Sequence, residues 1–191
     1  MNIDIAEKGA RMLLEGLGVD LSNPNIVNTP KRLAKSLMEL CRGLAPESDK
    51  EIESLLNAKF PVEYNGMIIL EPIKVISLCS HHLLPVNYTV TFGYIPVNFT
   101  LGFSKIVKVI DLLAAKPTLQ EDFTQQIIDT FDITLKPQGI IIIVQGKHSC
   151  MTLRGEKTDN INTTSALKGL FKNDTNIKNE FFSLCNLNKV H

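Results

Sequence analysis

Residues 139–145 read Gly-Ile-Ile-Ile-Ile-Val-Gln. Five consecutive β-branched side chains are poorly suited to a helix and well suited to a pleated surface. Pro137-Gln138-Gly139 leads into this run as a turn, so the segment is read as a buried strand. The rest of the fold has to supply its neighbours. From residue 60 to 96 the chain is again rich in β-branched and aromatic residues, with an Asn65-Gly66 turn signal near the start. Strands are expected over 67–78 and 86–95, with a break at the histidines between them.

Two helices separate these strands from the 139–145 run. Ser104 is expected to cap the first, whose apolar face carries Ile106, Val109, Ile110 and Leu113. Thr118 and Glu121 form a capping-box pattern for the second, through Phe123, Ile127 and Phe131. Beyond residue 145 a further extended stretch follows, and a last helix begins near Asp174. The order ββααββ implies an α+β domain, an antiparallel sheet with the helices on one face.

Residues 1–59 read as a helical N-terminal extension, and 60–191 as the catalytic domain. In the extension Thr29 and Pro30 are expected as the N-cap and N1 residues of a helix, Leu33, Leu37 and Leu40 mark its apolar face, and Gly43 closes it. Ser48 is expected to cap another helix through Ile52, Leu55 and Leu56. A four-stranded sheet leaves open edges, which favours pairing with other subunits.

Twenty basic residues balance twenty acidic ones. No overall field draws the chain to nucleic acid or to an anionic membrane, and no nucleic-acid or membrane partner is expected. The N-terminus lacks the basic and apolar regions of a signal peptide, and runs such as 140–144 are too short to span a bilayer. A cytoplasmic location is the expectation. There the four cysteines, at 41, 79, 150 and 185, are thiols or metal ligands rather than disulfides. Cys41 and Cys185 lie within apolar helical patterns and read as small buried hydrophobes.

Cys79 and Cys150 have different company. Three of the four histidines, His81, His82 and His148, lie within three residues of one of them; the fourth is His191. In Cys79-Ser80-His81-His82 a thiolate and an imidazole three residues apart reach one ion if the backbone turns sharply. Zinc takes such S and N donors, and a catalytic zinc keeps three protein ligands and one open position. The second cluster, His148-Ser149-Cys150, follows the buried strand, where a rigid scaffold passes into a functional loop. Further along, Ser104 with Lys105 and Lys108 at a helix start suits phosphate, although a capped amphipathic helix with solvated lysines explains it equally well. Arg154 near the second cluster, and Arg32 with Lys35 on one early helix, are further candidates for positive charge, although a solvated helix face is the preferable reading of Arg32 and Lys35 taken alone. Glu121 fits the helix dipole, and a carboxylate there also complements the N1–H and amino edge of a guanine.

Taken together these motifs resemble the GTP cyclohydrolase I family over residues 10–184. The matching pieces are Thr29-Pro30-Lys31-Arg32-Leu33-Ala34, Cys79-Ser80-His81-His82, Gly93-Tyr94-Ile95-Pro96 and Leu101-Gly102-Phe103-Ser104-Lys105. Gln120-Glu121 with Thr124-x-Gln126-Ile127, His148-Ser149-Cys150-Met151 with Arg154-Gly155, and Thr163-Thr164-Ser165-Ala166 complete them. The resemblance implies a tunnelling (T-fold) domain assembled into a homodecamer with active sites between subunits. It implies Zn2+ held by Cys79, His82 and Cys150, and hydrolysis of GTP to formate and 7,8-dihydroneopterin triphosphate. His148 and His81 are then the proton-transfer residues, with Ser104 assisting at the ribose. Lys35, Lys105, Lys108 and Arg154 correspond to triphosphate positions, and Glu121, with Gln120 beside it, to the guanine anchor.

Two residues depart from the family pattern. Ser80 stands where the family has Glu, which removes a charge near the metal and keeps a hydrogen-bonding group. Lys108 stands where Arg is usual, so charge survives without the bidentate fork. Residues 112–118 also keep only Lys116 of a basic stretch. The alternative reading is a diverged member acting on a related purine nucleotide or pterin; the third is a non-catalytic zinc-containing ligand-binding protein.

Overall fold

A computed structural model describes residues 1–187; His191 lies outside them. Three helices come first, α1 (Ile3–Gly16), α2 (Thr29–Leu40) and α3 (Pro46–Asn57), with a single 3-10 turn at Arg42–Leu44 after α2. Strand β1 (Lys59–Pro61) follows, then the long pair β2 (Ile68–Cys79) and β3 (Pro85–Ile95), and the short β4 (Phe99–Leu101). Helix α4 (Phe103–Ala114), β5 (Pro117–Thr118) and α5 (Gln120–Leu135) lead to β6 (Gly139–His148). One-turn α6 (Ser149–Thr152), β7 (Asn162–Gly169), one-turn α7 (Leu170–Asn173) and α8 (Thr175–Leu187) complete the chain.

The main sheet runs β5-β2-β3-β6-β7. Its four long strands are antiparallel, in the expected ββααββ order of the tunnelling fold. The two-residue β5 adds a parallel edge, pairing Leu78 with Pro117 and Cys79 with Thr118. That bridge was not foreseen, nor was the small β1-β4 ladder. The first covers the end of the β2 edge; the second is a separate two-stranded sheet.

The β6 run alternates between two cores. Ile140, Ile142 and Val144 face α4 and α5 in a cluster with Val109, Phe123 and Phe131. Ile141 points the other way, to Phe171, Phe181 and Cys185 of α7 and α8. Side chains on a strand alternate faces, so a run of five apolar residues serves a sheet covered on both sides. The expected helix pair lies on one face, and the terminal helix covers part of the other. Each fully buried Ile or Phe in these layers contributes about 1.5–3 kcal/mol relative to exposure.

Four capping expectations need correction. Helix α2 already includes Thr29, so Asn28 rather than Thr29 is its N-cap, without a side-chain cap bond. Helix α4 starts one residue before Ser104, with Gly102 at the N-cap and no side-chain cap bond. Helix α5 is preceded by Leu119 rather than Thr118, also without a side-chain cap bond, and Thr118 Oγ1 instead donates to Leu119 O. The two-residue β5 is the reason: Thr118 is held in extended backbone by its pairing to Cys79. Helix α3 begins at Pro46, and Ser48 is buried inside it, donating back to Arg42 O at 2.8 Å. Proline in the first turn of α2 and α3 presets the helical φ there, and no side-chain cap bond is made at either start.

Candidate metal and substrate site

Three chain ends meet at one edge of the main sheet. Strand β2 ends at Cys79, and the backbone then reverses within five residues. Cys79 N–H donates to Leu84 O at 2.9 Å, and Leu83 N–H to Cys79 O at 2.8 Å. Leu83 takes φ 53°, a left-handed conformation that costs a non-glycine residue roughly 1–2 kcal/mol. Those two bonds hold it, and the reversal projects His81 and His82 from a fixed frame. Strand β6 ends at His148, in register with Val86 at the start of β3. The single turn of α6 then carries Cys150 over the same edge. The β5 bridge docks the chain beside Cys79 and sets the first turn of α5, with Gln120 and Glu121, against both clusters.

The donor atoms of Cys79, His82 and Cys150 all lie within 4.8 Å of one another. Cys79 Sγ is 3.7 Å from His82 Nδ1. Two sulfurs and one imidazole nitrogen, converging from a buried strand end, an exposed turn and a half-buried one, are the donor set and count that a catalytic zinc takes. The trio fits the ion on its chemistry. Burial pushes the Cys150 thiol up, with Cys79 adding to the shift and Arg154 opposing it. All four cysteines are free thiols, and Cys41 and Cys185 take no part in the cluster.

Beside the trio opens a cavity of about 560 Å³, reached by His81, Ser80, Glu121, His148 and Thr164. Its back wall is a closed hydrogen-bond network around Gln120, a side chain only 4% exposed. Gln120 Nε2 donates to Val144 O and Asn162 O, both at 3.0 Å, and to Thr164 Oγ1 at 3.2 Å. Thr164 in turn donates to Thr124 Oγ1 at 2.6 Å, and Thr124 to Gln120 O at 2.8 Å. Every neighbour of Nε2 is an acceptor, which assigns the amide orientation. Gln120 Oε1 therefore accepts from His148 Nε2, 2.9 Å away. His148 is thereby set as the Nε2–H tautomer, with Nδ1 bare. Burial lowers its pKa below the ordinary histidine value, against a smaller upward pull from Glu121.

The other residues singled out in the sequence divide into two groups. Glu121 lines the cavity, and Arg154 is exposed just past α6, close enough to act on Cys150. Ser104, Lys105 and Lys108 sit at the start of α4, and Lys35 on α2; none of these four lines the cavity within this chain. Lys35, Ser104 and Lys108 are exposed. Sequence reasoning did not single out Asn162 or Tyr88, and named Thr124 only within the motif that runs from Gln120 to Ile127. Only Thr124 carried a signal, as a hydroxyl one helical turn after Gln120.

The GTP cyclohydrolase I family matches this chain over residues 6–186. A GTP cyclohydrolase 1 of Bacteroides thetaiotaomicron is 35% identical over 190 residues, covering 99% of this chain and 95% of that protein. The chain belongs to this family of enzymes. Another GTP cyclohydrolase 1, from Chlorobium phaeovibrioides, is 36% identical over 173 residues, 90% of this chain and 76% of its own length. The Drosophila melanogaster family member is 33% identical over 178 residues, and the chain spans 54% of that longer protein. Among solved structures, the archaeosine synthase QueF-Like in its apo form aligns with a TM-score of 0.44 at 14% identity, over 54% of this chain and 93% of that one.

Proposed function

We propose that the chain hydrolyses GTP to formate and 7,8-dihydroneopterin triphosphate, with Zn2+ held by Cys79, His82 and Cys150. One observation carries the reading: the Cys-His-Cys trio, a tautomer-locked His148 and the Glu121 carboxylate share one cavity. Zinc bound there supplies a Lewis acid that makes water nucleophilic near neutral pH.

Glu121, which lines the same cavity as the trio, accepts from the guanine N1–H and amino group and so orients the purine there. His148 meets the substrate neutral, because burial holds its pKa down. Its Nε2–H stays with Gln120, so Nδ1 is the atom that takes the proton released as water adds to C8. The same Nδ1 then delivers that proton to N7, completing the addition of water across C8=N7; the C8–N9 bond breaks next, the hydroxyl proton of the adduct passing to N9 as the imidazole ring opens. His81, exposed at the cavity, serves the later proton transfers of ribose opening and ring closure. Ser104 acts at the ribose, and Lys35, Lys105, Lys108 and Arg154 bind the triphosphate.

Ser104 and the three lysines lie away from the Cys/His cavity of their own chain. A homodecamer, with a neighbouring subunit bringing that cluster to each cavity, reconciles their position with their roles. In the described residues β7 pairs only with β6, leaving an edge for such contacts. No described helix is long and apolar enough to cross a membrane; a cytoplasmic setting keeps Cys79 and Cys150 reduced.

The test uses full-length protein loaded with zinc, its metal content measured on the same sample. Incubation with GTP should release formate and yield a pterin fluorescent after oxidation. Full zinc occupancy without formate release sinks the proposal. Ser80 then favours the second reading, a related purine nucleotide or pterin as substrate.

A further inference from the structure

Asn65-Gly66 is a turn signal that the fold does not use as a hairpin turn. A tight hairpin of this composition needs positive φ and strands paired across it. Among the described residues, neither Asn65 nor Gly66 takes a positive φ. On one side β1 pairs with β4, and on the other β2 pairs with β3 and β5. The dipeptide lies in the irregular segment 62–67 between β1 and β2, with Asn65 exposed.

Packing, not turn geometry, holds position 66 to glycine. A Cβ there would run into the Tyr64 hydroxyl and meet Tyr64 Cζ at 2.6 Å. The same hydroxyl donates to Met67 O at 3.3 Å, which keeps the ring across the glycine. Only Cβ, Cα and C of Asn65 stand between its Cγ and the Gly66 nitrogen, so rotation about single bonds brings the two atoms together. Glycine eases that approach, because no Cβ crowds the nitrogen and the backbone turns freely. An engaged amide or a fixed backbone prevents it. Asn2 Oδ1 accepts from Asp4 N and Ile5 N, Asn23 Oδ1 accepts from Asn25 N, and Asn87 and Asn162 lie within strands. Among the described residues, neither the Asn65 side chain nor the Gly66 N–H has a hydrogen-bond partner. No other asparagine in the sequence precedes glycine.

We propose that Asn65 is a modification site whose side-chain amide is displaced by the Gly66 nitrogen, giving aspartate and isoaspartate. The Gly66 N–H loses its proton to hydroxide, and the nitrogen attacks Asn65 Cγ. The bond from Cγ to the side-chain nitrogen breaks, and that nitrogen leaves as ammonia with a proton from solvent. Water then opens the five-membered imide. Attack at Cγ restores the ordinary peptide and leaves aspartate; attack at the main-chain carbon leaves isoaspartate, with the chain running through Cβ and Cγ. The sum is one water consumed, one ammonia released and no redox change. One negative charge is added to the segment whose Val62, Tyr64 and Met67 line an apolar groove together with Phe103, the residue before Ser104. The step is independent of the zinc reading.

Full-length protein is aged in heavy-oxygen water at neutral and mildly alkaline pH, then mapped by electron-transfer fragmentation, which separates aspartate from isoaspartate. Asn65 should convert about 10-fold or more faster than any other asparagine in the folded protein. Its rate should rise with hydroxide and each event take up one labelled oxygen. The folded rate should lie within about 10-fold of the rate in the urea-unfolded chain, because no hydrogen bond has to open first. Asn65→Gln, whose ring closure would be six-membered, should lose the product at this position and the acidic band on native gels. Fresh variant should match wild type in melting temperature. Asn65 intact while other asparagines have converted overturns the proposal, as does a folded rate more than about 100-fold below the unfolded one. Aspartate formed without isoaspartate also overturns it, since that product means direct hydrolysis of the side chain without the Gly66 nitrogen.

Discussion

Gln120→Met isolates the network behind the cavity, because it keeps length and burial while deleting both polar atoms. Four hydrogen bonds are lost: those to Val144 O, Asn162 O and Thr164 Oγ1, and the one from His148. Each is worth about 0.5–1.5 kcal/mol net. The three that Nε2 donates share two hydrogens, so they count for less than three full bonds. Methionine recovers a little through flexible apolar packing. The balance is a loss of about 3 kcal/mol, read as a lower urea midpoint at unchanged slope, in metal-free protein at fixed concentration. Gln120→Glu should cost more at neutral pH, since an oxygen then faces two backbone carbonyls. Burial and those carbonyls raise the introduced carboxyl's pKa above its unfolded value. Its protonated form is the tolerated one, so the deficit shrinks as pH falls through the raised pKa and grows as pH rises. A cost below about 0.5 kcal/mol for Gln120→Met, or a Gln120→Glu deficit that ignores pH, would refute the network as drawn.

Gly146→Ala puts a methyl group against Gln120 Oε1 and 2.8 Å from the Tyr88 ring; overpacking of this kind costs about 1–3 kcal/mol, measurable as a lower melting temperature. Cys150→Ala should lose both bound zinc and formate release while the fold, followed by circular dichroism, persists; retention of metal refutes the ligand assignment. Because the folded pKa of His148 is lowered, the unfolded chain takes up its proton first as pH falls below about 6.5. Stability is lost in that direction, and His148→Gln should show a shallower loss between neutral and mildly acidic pH in metal-free denaturation. Ser80→Glu should raise turnover with GTP or narrow substrate choice; identical kcat, KM and specificity would show that position 80 is not where this chain differs in function.

Much of the fold could be read because its signals are local. The β-branched run at 140–144, the apolar spacing of α4 and α5, and the turn chemistry before Gly139 each act within a few residues. Caps were misplaced where a distant pairing decided them: Thr118 was committed to a bridge with Cys79, 39 positions away by number. The candidate site divides the same way. Cysteines and histidines declare themselves by type, and strand ends are where such residues serve a metal. Gln120 does not, since its role comes from acceptors on β6 and β7 that only the folded sheet assembles. Tyr88 reads in the sequence as one more β-former. Only its pairing with Gly146 and the lack of a partner for its hydroxyl set it apart.

The arrangement separates two kinds of rigidity. His148, Cys79 and Gln120 are anchored by strand register, a clasped turn and a buried amide, which hold protons and ligand atoms in place before substrate arrives. Preorganisation of that kind matters most where charge moves during the reaction. Ser104 and the lysines of α2 and α4 are on helices outside the cavity, and the long side chains of the lysines suit the flexible, highly charged triphosphate of the proposed substrate. Imprecise placement costs little for such a ligand, because attraction between full charges falls slowly with distance. In the proposed function a subunit boundary can therefore run between the residues assigned to the triphosphate and the Cys-His-Cys trio without loss of chemical precision. The reverse division, splitting Cys79 from Cys150, would leave the metal dependent on assembly; in this fold β2 and β6 flank β3, and a single sheet brings both thiols together.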